Sequence, residues 1–120
     1  MELIIGGSFQ GKTEYALKTF SLSAEDVYDC SLSDAADIPA KKVISHFEKH
    51  ILTCMRGGGD PLSGIPEDAI IIADDISCGV VPMDSEIRAW REECGKVLAQ
   101  VADKSNSVTR IFCGLPLKLK

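Results

Sequence analysis

The chain has 120 residues, 45% of them hydrophobic, and a net charge of −5, which suits one globular domain over residues 1–120 with a single core. The acidic balance excludes a general nucleic-acid binder or a membrane-surface protein, both of which need a basic face. No apolar run approaches the ~18 residues of a membrane span and no signal peptide opens the chain, so no membrane span and a cytoplasmic location are expected.

Glu2 to Ile5 read as a short buried strand, and Gly6-Gly7-Ser8-Phe9-Gln10-Gly11-Lys12-Thr13 follows as a full G-x-x-x-x-G-K-[ST] loop. Gly6 and Gly11 open backbone angles closed to other residues, so successive N–H groups can turn inward around phosphate oxygens. The helix expected from Lys12 onward adds the positive end of its dipole. Lys12 would reach the β- and γ-phosphates of ATP or GTP, and the Thr13 hydroxyl would ligate Mg²⁺. All eight residues from Gly6 to Thr13 are therefore candidate nucleotide contacts, with Lys12 catalytic.

Asp26 to Cys30 read as a second strand, and Ser31 to Ala40 as a polar loop. From Lys41 to Arg56 the residues Val43, Ile44, Phe47, Ile51, Cys54 and Met55 recur on one face, which predicts a helix. Gly57, Gly58 and Gly59 stop it, and with no strand before them they suit a helix end better than a second phosphate loop. Ala69 to Ala73 is an uninterrupted apolar run of the kind found in parallel sheets, and it ends in Asp74-Asp75. Ile76 to Pro82 read as a loop. Asp84 or Ser85 can cap a helix carrying Ile87, Trp90, Cys94, Val97, Leu98 and Val101, with Trp90 in the core. Val108 to Cys113 is a last strand, and Gly114-Leu115-Pro116 turns into a short basic tail. The order predicts an α/β fold: a P-loop NTPase-like parallel sheet of about four or more strands with helices on both faces.

Ligands of such sheets gather beyond the carboxyl ends of the strands. One of Asp74 and Asp75 is expected in the Mg²⁺ shell, since that ion takes hard oxygen ligands besides phosphate. The plainer alternative is that the pair caps the following turn. Asp29 is a second candidate, for metal or as the base accepting a hydroxyl proton, and Asp75 carries the same possible role. His46 and His50 lie four apart on the predicted helix, which suits partly exposed edge histidines better than a metal pair, with a substrate or covalent role for either as the alternative. Cys30, Cys54, Cys78, Cys94 and Cys113 are an odd, widely spaced set, which reads as reduced core or near-core thiols rather than disulfides or a zinc site.

Two segments resemble a known family. Ile71-Ile72-Ala73-Asp74-Asp75-Ile76-Ser77-Cys78-Gly79-Val80-Val81-Pro82 is similar to the strand-end motif of the adenosylcobinamide kinase / adenosylcobinamide-phosphate guanylyltransferase family. Gly114-Leu115-Pro116-Leu117-Lys118-Leu119-Lys120 resembles that family's closing motif, and the doubled Gly6-Gly7 fits as well. The resemblance implies a P-loop enzyme of cobalamin biosynthesis that moves the γ-phosphate of ATP or GTP to the aminopropanol hydroxyl of adenosylcobinamide, a corrinoid. It also implies nucleotide contacts at Gly6, Gly7, Ser8, Gly11, Lys12 and Thr13, Asp75 as the family acid, and a homo-oligomer. The family's second step runs through a guanylyl-histidine. Its acceptor segment, a histidine followed closely by arginine and proline, is not recognisable here, so the kinase step is the one expected. The alternatives are a non-catalytic or regulatory ATP/GTP-binding protein, or a P-loop kinase of another small alcohol.

Overall fold

Short runs of buried aliphatic residues build the sheet, and helices on both sides cover it. The computed structural model describes residues 1–35, 37–76 and 84–120. Its elements are β1 (Glu2–Gly6), α1 (Lys12–Thr19), β2 (Val27–Asp29), β3 (Val43–Ser45), α2 (Phe47–Gly57), β4 (Ile70–Asp74), α3 (Ser85–Lys104), β5 (Ser107–Phe112) and β6 (Leu115–Lys118). Six strands form one sheet in the order β2-β3-β4-β1-β5-β6, parallel except where β6 returns beside β5. This is the P-loop NTPase-like α/β architecture that the residue pattern predicts.

Alternation along the strands divides the core into two layers. Ile4, Val43, Ile70, Ile72 and Ile111 pack with Ala16 of α1 on one face. Leu3, Ile44, Ile71 and Ala73 pack on the other with Phe47 and Ile51 of α2 and with Cys94, Val97 and Val101 of α3. Each large aliphatic side chain so buried contributes about 1.5–3 kcal/mol before the entropy of ordering it is counted. The strand order sets β1 directly beside β4, with Gly6 the register partner of Asp74. The phosphate loop thus leaves the sheet next to the acid that ends the neighbouring strand.

Two sequence expectations need correction. The helix predicted from Lys41 to Arg56 is a strand followed by a helix: Val43 and Ile44 pair with β2 and β4, and α2 begins at Phe47. The break is a single residue, His46, whose backbone sits in the left-handed region at φ 53° and ψ 44°. The predicted basic tail is the edge strand β6, paired antiparallel with β5 from Phe112↔Leu115 to Thr109↔Lys118. Pro116 is tolerated there because an edge strand has one side with no ladder to serve.

The helix-end signals hold. Gly58 ends α2 at φ 75° and Gly59 donates its N–H to Cys54 O at 3.0 Å. Asp84 caps α3 by accepting from the N–H groups of Glu86 and Ile87. Cys30, Cys54 and Cys94 are buried free thiols, whereas Cys113 is exposed rather than in the core; Cys78 and the expected loop beyond Ile76 lie outside the described residues. Among the described residues, no helix is long and apolar enough to cross a membrane.

Candidate nucleotide site

The loop between β1 and α1 takes its shape from its glycines. A Cβ on Gly6 would lie 2.5 Å from the carbonyl oxygen of Ile111 on β5, so the chain leaves the sheet through a gap that fits only glycine. Gly11 stands at the head of α1 with φ 87°, a conformation that other residues adopt at a cost. Phe9 at the loop's apex also has positive φ, and its ring is fully exposed. Gln10 clasps the loop to the β5–β6 turn: its side-chain oxygen accepts the N–H of Cys113, and its main-chain oxygen accepts that of Gly114 at 2.9 Å.

Lys12 is only 7% exposed. Its ammonium donates to Gly7 O at 2.6 Å and pairs with Asp74 Oδ1 at 2.7 Å. Ser8 Oγ donates to the other oxygen, Asp74 Oδ2, at 3.0 Å. The N–H of Asp75 donates to Gly6 O at 2.8 Å, which ties the start of the loop to the end of β4. The β4 acid and the loop lysine are therefore one assembly. Of the two candidate aspartates, Asp74 is the one brought to Lys12. Asp75 instead lines an apolar groove of about 590 Å³ that also includes Leu3, Ile5, Leu98 and Val108.

The second cluster comes from the ends of β2 and β3. His46 Nδ1 lies 2.8 Å from Asp29 Oδ1, and the same carboxylate oxygen accepts from Ser31 N–H at 2.9 Å and Ser31 Oγ at 2.7 Å. Burial pushes the Asp29 carboxyl upward, but the Ser31 hydrogen bonds and the neighbouring His46 outweigh it and hold it below the ordinary value of 3.8. A cleft of about 240 Å³ joins the two clusters, lined by Ser8, Phe9, Lys12, Thr13, His46 and Asp74 among others. His50 does not share it. Its side chain is buried against Phe47, ring centroids 5.5 Å apart, with Cys54 Sγ 3.5 Å from its Nε2. The reading of both histidines as partly exposed edge residues fails for His50, which lies three residues after Phe47 and four before Cys54 and so falls on the buried face of α2.

Glu48 escaped the sequence reading. It is 1% exposed, and its Oε1 accepts the N–H of Asp74 at 2.8 Å. Burial pushes its carboxyl above the ordinary value, against the opposing effect of that N–H. The available signal was a charge on an apolar stripe, since Glu48, Ile51 and Met55 fall at helical spacing.

A magnesium nucleotide fits the oxygen donors present. The Asp74 carboxylate and the Ser8 and Thr13 hydroxyls border one cleft, and Mg²⁺ on a nucleotide takes one or two protein oxygens, the rest coming from phosphates and water. Among the described residues no three His, Cys, Asp or Glu side chains form a metal site by themselves.

The family model for cobinamide kinase / cobinamide phosphate guanyltransferase (CobU) matches residues 40–119, two thirds of the chain. The chain belongs to this family. The matched stretch runs from just before β3 to just beyond β6 and includes His46, Glu48 and Asp74, while the phosphate loop lies outside it. Membership brings the chain to the cobalamin-biosynthetic kinase/guanyltransferase enzymes and their nucleotide chemistry. A comparison with curated proteins found no match.

Proposed function

We propose that the protein, as a single nucleotide-binding domain, transfers the γ-phosphate of ATP or GTP to the aminopropanol hydroxyl of adenosylcobinamide. The observation that carries this reading is the 2.7 Å pair between Lys12 Nζ and Asp74 Oδ1, made by a glycine-framed loop and the adjacent strand end. Incoming phosphates would draw the ammonium from Asp74 and Gly7 O onto their own oxygens. The loop amides from Gly6 to Thr13, the amino end of α1 and Lys12 then stabilise the charge that builds on the transferred group. Thr13 and Asp74 would hold Mg²⁺, which neutralises phosphate charge when bound. The substrate hydroxyl attacks the γ-phosphorus in line, the bond to the β-phosphate oxygen breaks as the new P–O bond forms, and the hydroxyl proton passes to a phosphate oxygen or to water. No protein nucleophile is needed for this step.

Asp29 was a candidate base. Its carboxylate is directed to His46 and Ser31, which suits orienting the imidazole. That arrangement supports a second reading, in which the guanylyl transfer also survives. With Asp29 accepting a hydrogen bond from Nδ1–H, Nε2 carries the lone pair and could attack the α-phosphorus of GTP, releasing pyrophosphate. A homo-oligomer belongs to the same proposal, supported by the exposure of Phe112, Leu115, Leu117 and Leu119 on β5, β6 and the residue after them.

The test is a transfer assay with ATP, GTP and adenosylcobinamide, run beside calorimetric binding of each. Lys12→Ala should lower turnover at least ~100-fold, the scale of losing one preorganised charge contact, while the folded circular dichroism spectrum persists. A wild-type protein that binds nucleotide without phosphorylating the corrinoid would be a nucleotide-binding module instead. Acid-labile label from GTP on His46, lost in His46→Asn, would establish the second step.

A further inference from the structure

Glu48 is a buried carboxyl that the phosphotransfer chemistry above does not use. It lies in the first turn of α2 at 1% exposure, and an apolar residue there would cost less, since burying a carboxylate is unfavourable unless it is well partnered. Its Oε1 accepts the main-chain N–H of Asp74 at 2.8 Å. Asp74 in turn carries Lys12 on one carboxylate oxygen and Ser8 on the other. The main chain of Glu48 is anchored as well, with Trp90 Nε1 of α3 donating to its carbonyl oxygen at 2.7 Å. One residue thus links α3, the start of α2, the end of β4 and the phosphate loop.

We propose that Glu48 is a positioning residue, whose carboxylate grips the Asp74 N–H and so fixes the end of β4 where the Asp74 carboxylate meets Lys12. The inference rests on the nucleotide site proposed above, and it makes the Glu48–Asp74 bond the part of that site set by α2. What matters is an acceptor at the right reach. A negative charge in itself is not required, because a neutral amide oxygen at the same distance would accept the same N–H.

Two substitutions separate reach from charge. Glu48→Gln keeps the length and removes the charge, whereas Glu48→Asp keeps the charge and withdraws the oxygen by one methylene. The readouts are amide hydrogen exchange across β4, nucleotide affinity by calorimetry, and kcat. For Glu48→Gln, Asp74 exchange should stay near wild type, with affinity and kcat within about threefold. For Glu48→Asp, the Asp74 amide should exchange at least ~10-fold faster while Ile71 and Ile72 keep their protection, with affinity and kcat falling by about the same factor. Equal losses in both variants would make the charge essential and overturn the proposal. So would an Asp74 amide unmoved by Glu48→Asp, or general loss of protection along β4 in either variant. If the wild-type protein phosphorylates no corrinoid, the functional reading falls, while the exchange pattern and nucleotide affinity still decide the role of Glu48.

Discussion

Nδ1 of His46 and Oδ1 of Asp29 stand 2.8 Å apart, joining the ends of β2 and β3 at the wall of the phosphate cleft. The contact depends on the left-handed backbone of His46, which stops β3, starts α2 and turns the imidazole to the strand ends. Asp29→Ala removes the group that selects the tautomer. Any covalent labelling of His46 from GTP should slow by about 10-fold or more, with nucleotide affinity changed less than about threefold. Because the Asp29 carboxyl is held below 3.8 in the folded state, its stabilising share is fully present above that pH and is lost as pH falls through the lower folded value. Acid unfolding monitored by circular dichroism should therefore begin from a lower baseline stability in Asp29→Ala and show a shallower slope below pH 3.8.

Gly6→Ala tests the gap through which the loop leaves the sheet. The added methyl would meet Ile111 O at 2.5 Å, and both atoms belong to backbone held in the central strands. The expected cost is about 1–3 kcal/mol, the usual range for overpacking. Urea unfolding should show a lower midpoint with an unchanged slope. Nucleotide affinity should weaken as well, because Gly6 begins the cradle and its carbonyl holds the N–H of Asp75.

Burial pushes the His50 imidazole below its ordinary value of 6.5, so the folded chain keeps it neutral where the unfolded chain would take up a proton. The sign is destabilising on acidification: stability is lost as pH falls from 6.5 through the lower folded value. Replacing the residue by leucine, His50→Leu, should flatten that part of the stability profile. Turnover should change little, since His50 does not line the cleft.

Thiol reactivity should divide the cysteines by depth. Burial pushes Cys30 and Cys94 up to about 12 and also raises Cys54, so none offers much thiolate near pH 8. Cys113 is exposed beside the phosphate loop. In a Cys78→Ser background, native protein should show one rapidly reacting thiol toward an aromatic disulfide reagent. Adding Cys113→Ser should remove it, with the remaining cysteines reacting only on unfolding.

Much of the site was legible in the residues because its chemistry is local. The loop's glycines and Lys12 are spelled out from Gly6 to Thr13, and the aliphatic run ending at Asp74 announces a buried strand with an acid at its end. What the pattern hid was produced by coincidence of period. Val43, Ile44, Phe47 and Ile51 fit a helix, yet Val43 and Ile44 face opposite sides of the sheet. Only the backbone reversal at His46, a tertiary choice with no glycine to flag it, parts strand from helix. β6 was hidden because Leu115–Lys118 contains a proline and is exposed along its length, and its pairing is visible only once β5 is in place. The choice between Asp74 and Asp75 was open in one dimension, since adjacent strand-end residues point to opposite faces.

Gln10 carries a consequence for the order of the loop. Its partners, Cys113 and Gly114, lie 103 or more positions further along the chain, so the clasp that holds the loop is made by the far end of the sequence and not by the loop's own neighbours. Order in the loop should consequently be lost when the β5–β6 hairpin is unseated, although that hairpin lends no residue to the Gly6–Thr13 segment.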